Sequence, residues 1–416
     1  LSDNNTKTVS FRKVFLVSGT SFMFDAMDVG IIGFLTAALI QDWNMTHATA
    51  GWIGTINAIG MFFGAIIAGV LADRIGRMKV LTITIIMFSI SSGLSALSTS
   101  LAILLVLRFF MGLGLGGEGP VAATIVAEHA PSKTRGRWVV LLESFWAVGW
   151  LLAAIIGYFV IPNWGWRAAL LIGAIPAFIA IYIRRGVPES ATFNKMDKER
   201  TSVWGNLKTL WTPKYARATT MTWILWLLTM FTYYGMFLWF PSILVLKGFD
   251  LIRSFGYVLI MTLAQLPGFF SAAWLIEKIG RKFVLIGYLI CVAISSLFFG
   301  NAETVTALLA SGLALNFFFP GVTGTIYAYA TENYAAEVRA TGSGMANALG
   351  RIGSIIAPVV VGGMMTAGFQ IETIFILFFS TCILAALNVL LLGKETRGQT
   401  EETEILENPI EKVSSI

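Results

Sequence analysis

The sequence predicts an all-α membrane protein, with twelve transmembrane helices in two pseudo-symmetric six-helix bundles and both termini in the cytoplasm. Three observations carry that expectation. The first is composition: of 416 residues, 56% are AVILMFWYC, 41 are glycine and only 12% carry charge. Apolar residues and glycine together reach about two-thirds of the chain, against roughly 45–50% in soluble domains. A water-soluble globule built this way would expose more contiguous apolar surface than monomers carry, which excludes a soluble enzyme, a disordered chain and a secreted disulfide scaffold. The second observation is a series of apolar runs long enough to cross about 30 Å of hydrocarbon as helices. The third is a motif that occurs twice, 204 residues apart.

The runs begin near Val14, Ala48, Val80, Leu101, Arg137, Arg167, Ala218, Ser254, Phe283, Thr304, Thr341 and Thr373. The first opens on polar residues and has no small-residue cleavage site, so it reads as a retained helix and not as a signal peptide. Because the chain opens on Leu1, a few residues are expected to have been removed ahead of it. Cys291 and Cys382 sit in apolar runs and read as small buried hydrophobes. With the N-terminus inside, cytoplasmic segments carry 24 of the 29 Lys and Arg residues, external loops carry Arg167, Lys247 and Arg253, and Arg108 and Arg351 fall inside helices. That is the positive-inside pattern. It also accounts for the net charge of +6 without nucleic acid, since basic loops lie beside an anionic leaflet.

The longest polar stretch, about residues 184–217, divides the runs six and six and reads as a solvated linker. The expected organisation is an N-terminal bundle over 1–185, a linker over 186–215, a C-terminal bundle over 216–392 and a tail over 393–416. Asp73-Arg-Ile-Gly-Arg77 recurs as Glu277-Lys-Ile-Gly-Arg281, and Glu128…Arg135 recurs as Glu332…Arg339, both at an offset of 204. Two pairs at one offset mark an internal repeat. Two such halves related by an axis along the membrane normal are expected to bind a small molecule in a central cavity.

Gly69-Val-Leu-Ala-Asp73-Arg-Ile-Gly-Arg77-Met-Lys79 resembles the loop between helices 2 and 3 that marks the major facilitator superfamily. With the twelve runs, the central loop and the repeat, the resemblance covers the whole chain. Arg135-Gly136, Val187-Pro-Glu-Ser190 and Glu332…Arg339-Ala-Thr-Gly342 are similar to the sugar-porter and metabolite:proton symporter branch. Asp25-Ala-Met-Asp28 resembles an element of aromatic-acid:proton symporters, with Ala in place of Gly. The runs Phe24–Ile31, Leu141–Trp150 and Tyr233–Trp239 look like those of bacterial niacin transporters. No Pro lies between Arg137 and Val160, so the helix 5 motif of drug:proton antiporters is not evident.

Ionisable groups inside a bilayer are costly and normally face a cavity or a partner. Asp25 and Asp28, three residues apart, share a helical face. At about 1.5 Å per residue, Asp28 and Arg108 reach similar depths on the outer side of the midplane. The family resemblance implies that such a pair links protonation to closure; a permanent structural ion pair is the other reading. Glu118 lies within Gly116-Gly-Glu-Gly-Pro120. It is a candidate second proton carrier or cytoplasmic-side gate, while the glycines equally suit close helix packing. Glu143 aligns with a substrate-contacting Gln of the sugar porters, and its repeat partner is Asn347. One turn on lies Arg351, for which a substrate carboxylate is the expected partner and an ion pair with Glu143 the alternative.

Phe145, Trp146, Tyr233, Tyr234, Trp239 and Tyr327 are candidate contacts for a planar ligand, because their helices are expected to line the cavity. Asp73, Arg77, Glu128, Arg135, Glu277, Arg281, Glu332 and Arg339 lie at cytoplasmic helix ends, where the resemblance implies a charge latch between the halves. Helix-end charges also answer helix dipoles in any fold. His47 and His129 lie in predicted loops with no metal-ligand spacing, and no phosphate-cradling Gly-Lys-Ser/Thr run appears.

The expected function is therefore import of nicotinic acid or a similar small aromatic carboxylate together with protons, by alternating access. The alternatives are proton symport of another metabolite, such as a sugar or benzoate-like acid, or an uncoupled facilitator. No cofactor, no metal and no enzymatic chemistry are expected. The partners are the solute, protons and the lipid bilayer, and the protein is expected to act as a monomer.

Overall fold

In the computed structural model residues 11–129, 135–176 and 203–397 are described, and every regular element among them is an α-helix. In chain order these are α1 Phe11–Asp42, α2 His47–Ile75, α3 Arg77–Ser95, α4 Leu101–His129, α5 Arg135–Phe159, α6 Ile161–Ile172, α7 Val203–Leu210, α8 Ala216–Phe237, α9 Phe240–Leu246, α10 Leu251–Thr262, α11 Gln265–Lys278, α12 Arg281–Gly300, α13 Val305–Glu332, α14 Ala336–Thr366 and α15 Ile371–Leu392. Helices are what an apolar chain must form where water cannot satisfy its backbone. Among the described residues eight helical stretches are long and apolar enough to cross a membrane, or nine when α8 and α9 count as one bent span. Lys79–Ser95 and Leu101–Gly117 are shorter apolar helices.

Three of the expected spans are interrupted, for one physical reason. Proline lacks an N–H, and its ring collides with the carbonyl four residues back. Pro241 accompanies the 51° bend between α8 and α9. Pro267 follows the turn at Leu263–Ala264 that separates α10 from α11, and Pro176 follows the turn at Gly173–Ile175 that ends α6. Pro320 and Pro358, by contrast, stay inside α13 and α14. His47 begins α2 and His129 ends α4, so neither lies in a loop.

The chain forms two compact units, residues 1–199, 233–266 and 354–374 in one and residues 200–232, 267–353 and 375–416 in the other. In the first, α1 is buried without interruption from Asp25 to Leu39, as expected for a helix whose surroundings are protein on all sides. Helices α2 and α4 approach through glycines: a Cβ at Gly60 or Gly64 would meet the Phe109 or Leu113 carbonyl, and one at Gly112 or Gly116 would meet the Asn57 or Met61 carbonyl. This accounts for Gly116, which packs α4 against α2.

Residues 233–266 and 354–374 belong to this first unit through contacts that are just as close. Gly33 lies against the Leu238 carbonyl, at 2.8 Å from where its Cβ would be, and Gly51 against the Pro358 carbonyl at 2.6 Å. Thr55 donates to the Ile355 carbonyl at 2.7 Å, Trp239 Nε1 to the Pro358 carbonyl at 3.2 Å, and the Ala48 N–H to Thr366 Oγ1 at 2.8 Å.

In the second unit α8 packs on α14. Gly350 faces Trp226 and Met230, and Gly353 faces the Leu227 carbonyl and Phe231. Asn388 of α15 donates to the Met221 carbonyl of α8 at 2.8 Å. The internal repeat is visible in the backbone: Gly76, before α3, has φ 104° and ψ 149°, and Gly280, before α12, has φ 106° and ψ 159°. Only glycine adopts that conformation cheaply, which is why both copies of the motif carry Ile-Gly-Arg.

Candidate functional site

Asp28 and Arg108 are both 0% exposed, and Asp25 is 2% exposed. Asp28 (α1) and Arg108 (α4) lie close enough to act on each other electrostatically, but they do not form a hydrogen-bonded ion pair. Neither Asp28 oxygen has a hydrogen-bond partner among the described residues, nor do Nε and Nη2 of Arg108. Arg108 Nη1 contacts Met111 Sδ at 3.4 Å. Two neighbours that sequence reading missed complete the node. Ser92 of α3 donates its hydroxyl to the Leu170 carbonyl of α6 at 3.0 Å. At Gly173, just past α6, a Cβ would collide with Ser92 Oγ and come within 2.8 Å of Asp28 Oδ1. Opposite charges held near one another yet unpaired leave a group able to bind a proton beside a cation able to take its place.

The aromatic candidates of the first unit pack together. Trp146 Nε1 donates to Tyr233 Oη at 2.9 Å, and Tyr233 lies 5.5 Å from Tyr234, 4.8 Å from Phe237 and 5.9 Å from Trp150 between ring centroids. Trp146 also packs on Phe22, with centroids 5.2 Å apart and the rings inclined at 44°. Phe145 fills the space beside Gly19 and touches Phe15 at 5.7 Å. Trp239 lies 6.0 Å from His47 between ring centroids. Glu143 is half-buried on α5, next to Leu142 in the Phe22–Val126 cluster.

At the end that the Lys/Arg count assigns to the outside, Trp166 Nε1 donates to Asp42 at 2.9 Å and Arg167 lies 4.1 Å above the Trp166 ring while donating to the Ser98 carbonyl. Burial there pushes the Lys247 ammonium below its ordinary value, and the Glu372 carboxylate opposes the push.

In the second unit Asn347 and Arg351 are half-buried one turn apart on α14. Beside them Trp226 meets Tyr327 edge-on at 4.7 Å and packs against Gly350. Trp226 is fully buried, and its Nε1 has no hydrogen-bond partner among the described residues. Sequence reading passed over it, since one tryptophan in an apolar helix gives no signal until its neighbours are known.

Of the expected latch, the structure brings together Glu277, Arg281 and Glu332. Arg281 pairs with Glu332 at 3.1 Å and with Glu277 at 3.2 Å. Arg339 instead donates to the Tyr334 carbonyl at 3.3 Å. The chain after α15 joins this network, which sequence reading missed. The Glu395 carboxylate accepts the N–H groups of Arg281 and Lys282 at 2.9 and 3.0 Å, capping α12 where its dipole favours an anion, and Thr396 donates to Glu332 at 2.5 Å. The side chains of Asp73, Arg77, Glu118, Glu128 and Arg135, and the segment 186–202, lie outside the described residues.

Apolar helices long enough to cross a membrane, with Asp28 and Arg108 buried among them, describe an integral multi-pass membrane protein, and its family and relatives make it a solute transporter of the cell membrane, not an enzyme. The chain belongs to the Major Facilitator Superfamily, whose profile matches residues 17–358 and 261–414. It is 52% identical to the "Putative niacin/nicotinamide transporter NiaP" of Bacillus subtilis, over 94% of this chain and 98% of that one. It is 43% identical to the "Niacin transporter NiaP" of Acinetobacter baylyi, over 93% of this chain and 94% of the relative. Among solved structures a D-xylose-proton symporter superposes with a TM-score of 0.80 at 20% identity, over 93% of this chain and 99% of that chain.

Proposed function

We propose that this transporter imports nicotinic acid, or a small aromatic carboxylate like it, together with protons and by alternating access. The substrate assignment rests on the near-full-length identity to niacin transporters. Proton coupling is supported by Asp28, which is fully buried beside Arg108 with neither oxygen hydrogen-bonded. In this reading the chain spans the bilayer twelve times as a monomer, with both ends cytoplasmic and the halves divided at 186–215. Asp28 carries the proton and Arg108 answers it, with Asp25 and Glu118 as further acids on the same route. Arg351 takes the substrate carboxylate, helped by Asn347, while Tyr327 and Trp226 flank the ring. Glu143, Phe145, Trp146, Tyr233, Tyr234 and Trp239 are proposed to contact the solute or close the path behind it. The charged residues at the cytoplasmic helix ends set the balance between conformations.

Competition against labelled nicotinate uptake in proteoliposomes tests the substrate. Unlabelled nicotinate is expected to compete at micromolar to millimolar levels, the usual range for metabolite recognition, and a protonophore is expected to abolish accumulation. Competition by benzoate or a sugar, but not by nicotinate, would displace the assignment.

A further inference from the structure

Four helices converge on the Asp28 carboxyl, and two of their residues have no assigned role. Pro176 breaks α6, so the Ala174 N–H bonds to the Leu171 carbonyl at 3.1 Å and the Leu170 carbonyl takes the Ser92 hydroxyl at 3.0 Å. Ser92 is 0% exposed. Its proton is committed to Leu170, so the oxygen presents lone pairs to its surroundings. That oxygen and Asp28 Oδ1 crowd the same methyl-sized volume, which exists only because residue 173 is glycine.

We propose that Ser92 and Gly173 are positioning residues for the proton carried by Asp28: the serine oxygen accepts the hydrogen bond of the protonated carboxyl, and the glycine leaves the space in which that carboxyl sits. The inference rests on the proton-coupled reading above. In the loaded state the chain of donors runs from the Asp28 O–H to Ser92 Oγ and from the Ser92 O–H to the Leu170 carbonyl. On release the Asp28 O–H bond breaks, the proton passes to water, and the carboxylate turns to Nε and Nη2 of Arg108, which have no other partner among the described residues.

The charged groups around this node are few. Arg108 comes from α4, and Asp25 lies one turn back on α1. In α5, Glu143 lies ten residues before Ala153, which meets Gly30 of α1, so it sits more than two turns from Asp28 toward the start of α1. Arg167 of α6 is engaged with Ser98 and Trp166. The central segments of α2 and α3 hold no charged residue.

The test is the pH profile of nicotinate uptake by the full-length protein in proteoliposomes, paired with nicotinate counterflow, which needs no net proton movement. Ser92→Ala removes the acceptor for the neutral acid. Its half-maximal uptake is expected to move about half to one pH unit to the acid side, the size of one net hydrogen bond, with counterflow retained. Gly173→Ala should depress accumulation toward unity while sparing counterflow. An unmoved midpoint in Ser92→Ala, a shift to the alkaline side, or parallel loss of counterflow in both variants overturns the proposal. A flat wild-type profile would instead remove proton coupling itself, a separate failure that takes this inference with it.

Discussion

Arg351→Ala is expected to raise the apparent KM for nicotinate by about 30-fold or more, the consequence of losing a charge-assisted bond of roughly 2–3 kcal/mol. Arg351 is half-buried on α14, one residue from Gly350, and Gly350 packs against Trp226. A guanidinium in the membrane interior is costly and normally marks a functional position. Its planar fork fits a carboxylate in two-point fashion, which an ammonium does not reproduce. Arg351→Lys should therefore recover only part of the affinity, and nicotinamide, which lacks the negative charge, should lose much less than nicotinate in either variant. Saturation curves for both solutes read this directly. Equal losses for the acid and the amide would show that Arg351 supports the fold and does not hold a carboxylate.

Asp28→Asn is expected to leave counterflow intact and to reduce accumulation to a ratio near one. A potential of 100 mV supplies about 2.3 kcal/mol per charge moved, enough for enrichment by tens-fold when one net positive charge enters with the solute. Asparagine keeps the shape of the side chain but cannot load and release a proton, so the driving force is lost while the path stays open. Retained counterflow also shows that the variant folds despite leaving Arg108 without its counter-charge. Accumulation at the wild-type level in Asp28→Asn would move the proton site elsewhere, to Asp25 or Glu118.

The helical character and the repeat were legible in the sequence because both rest on local rules. Apolar run length dictates spanning helices, and Ile-Gly-Arg dictates the same positive-φ turn at Gly76 and Gly280. Asp28, Arg108, Glu277, Arg281 and Glu332 stood out because charge is rare in this chain and its position is informative. Ser92, Gly173 and Trp226 did not. Serine, glycine and tryptophan are ordinary in membrane helices, and what distinguishes these three is which residue of another helix they meet. The breaks at Pro176, Pro241 and Pro267 were readable in principle, but Pro320 and Pro358 are tolerated, so tertiary packing decides which prolines interrupt. Glu395 escaped notice because it reaches back more than a hundred residues to cap α12.

Solute and proton are expected to cross together through the Asp28 site. Proteoliposomes held at equal pH and zero potential, with a pH-sensitive dye outside, test it most directly. On adding nicotinate the outer solution should turn alkaline for the wild-type protein and stay unchanged for Asp28→Asn. Nicotinate entry through the wild-type protein with no change in external pH would contradict it.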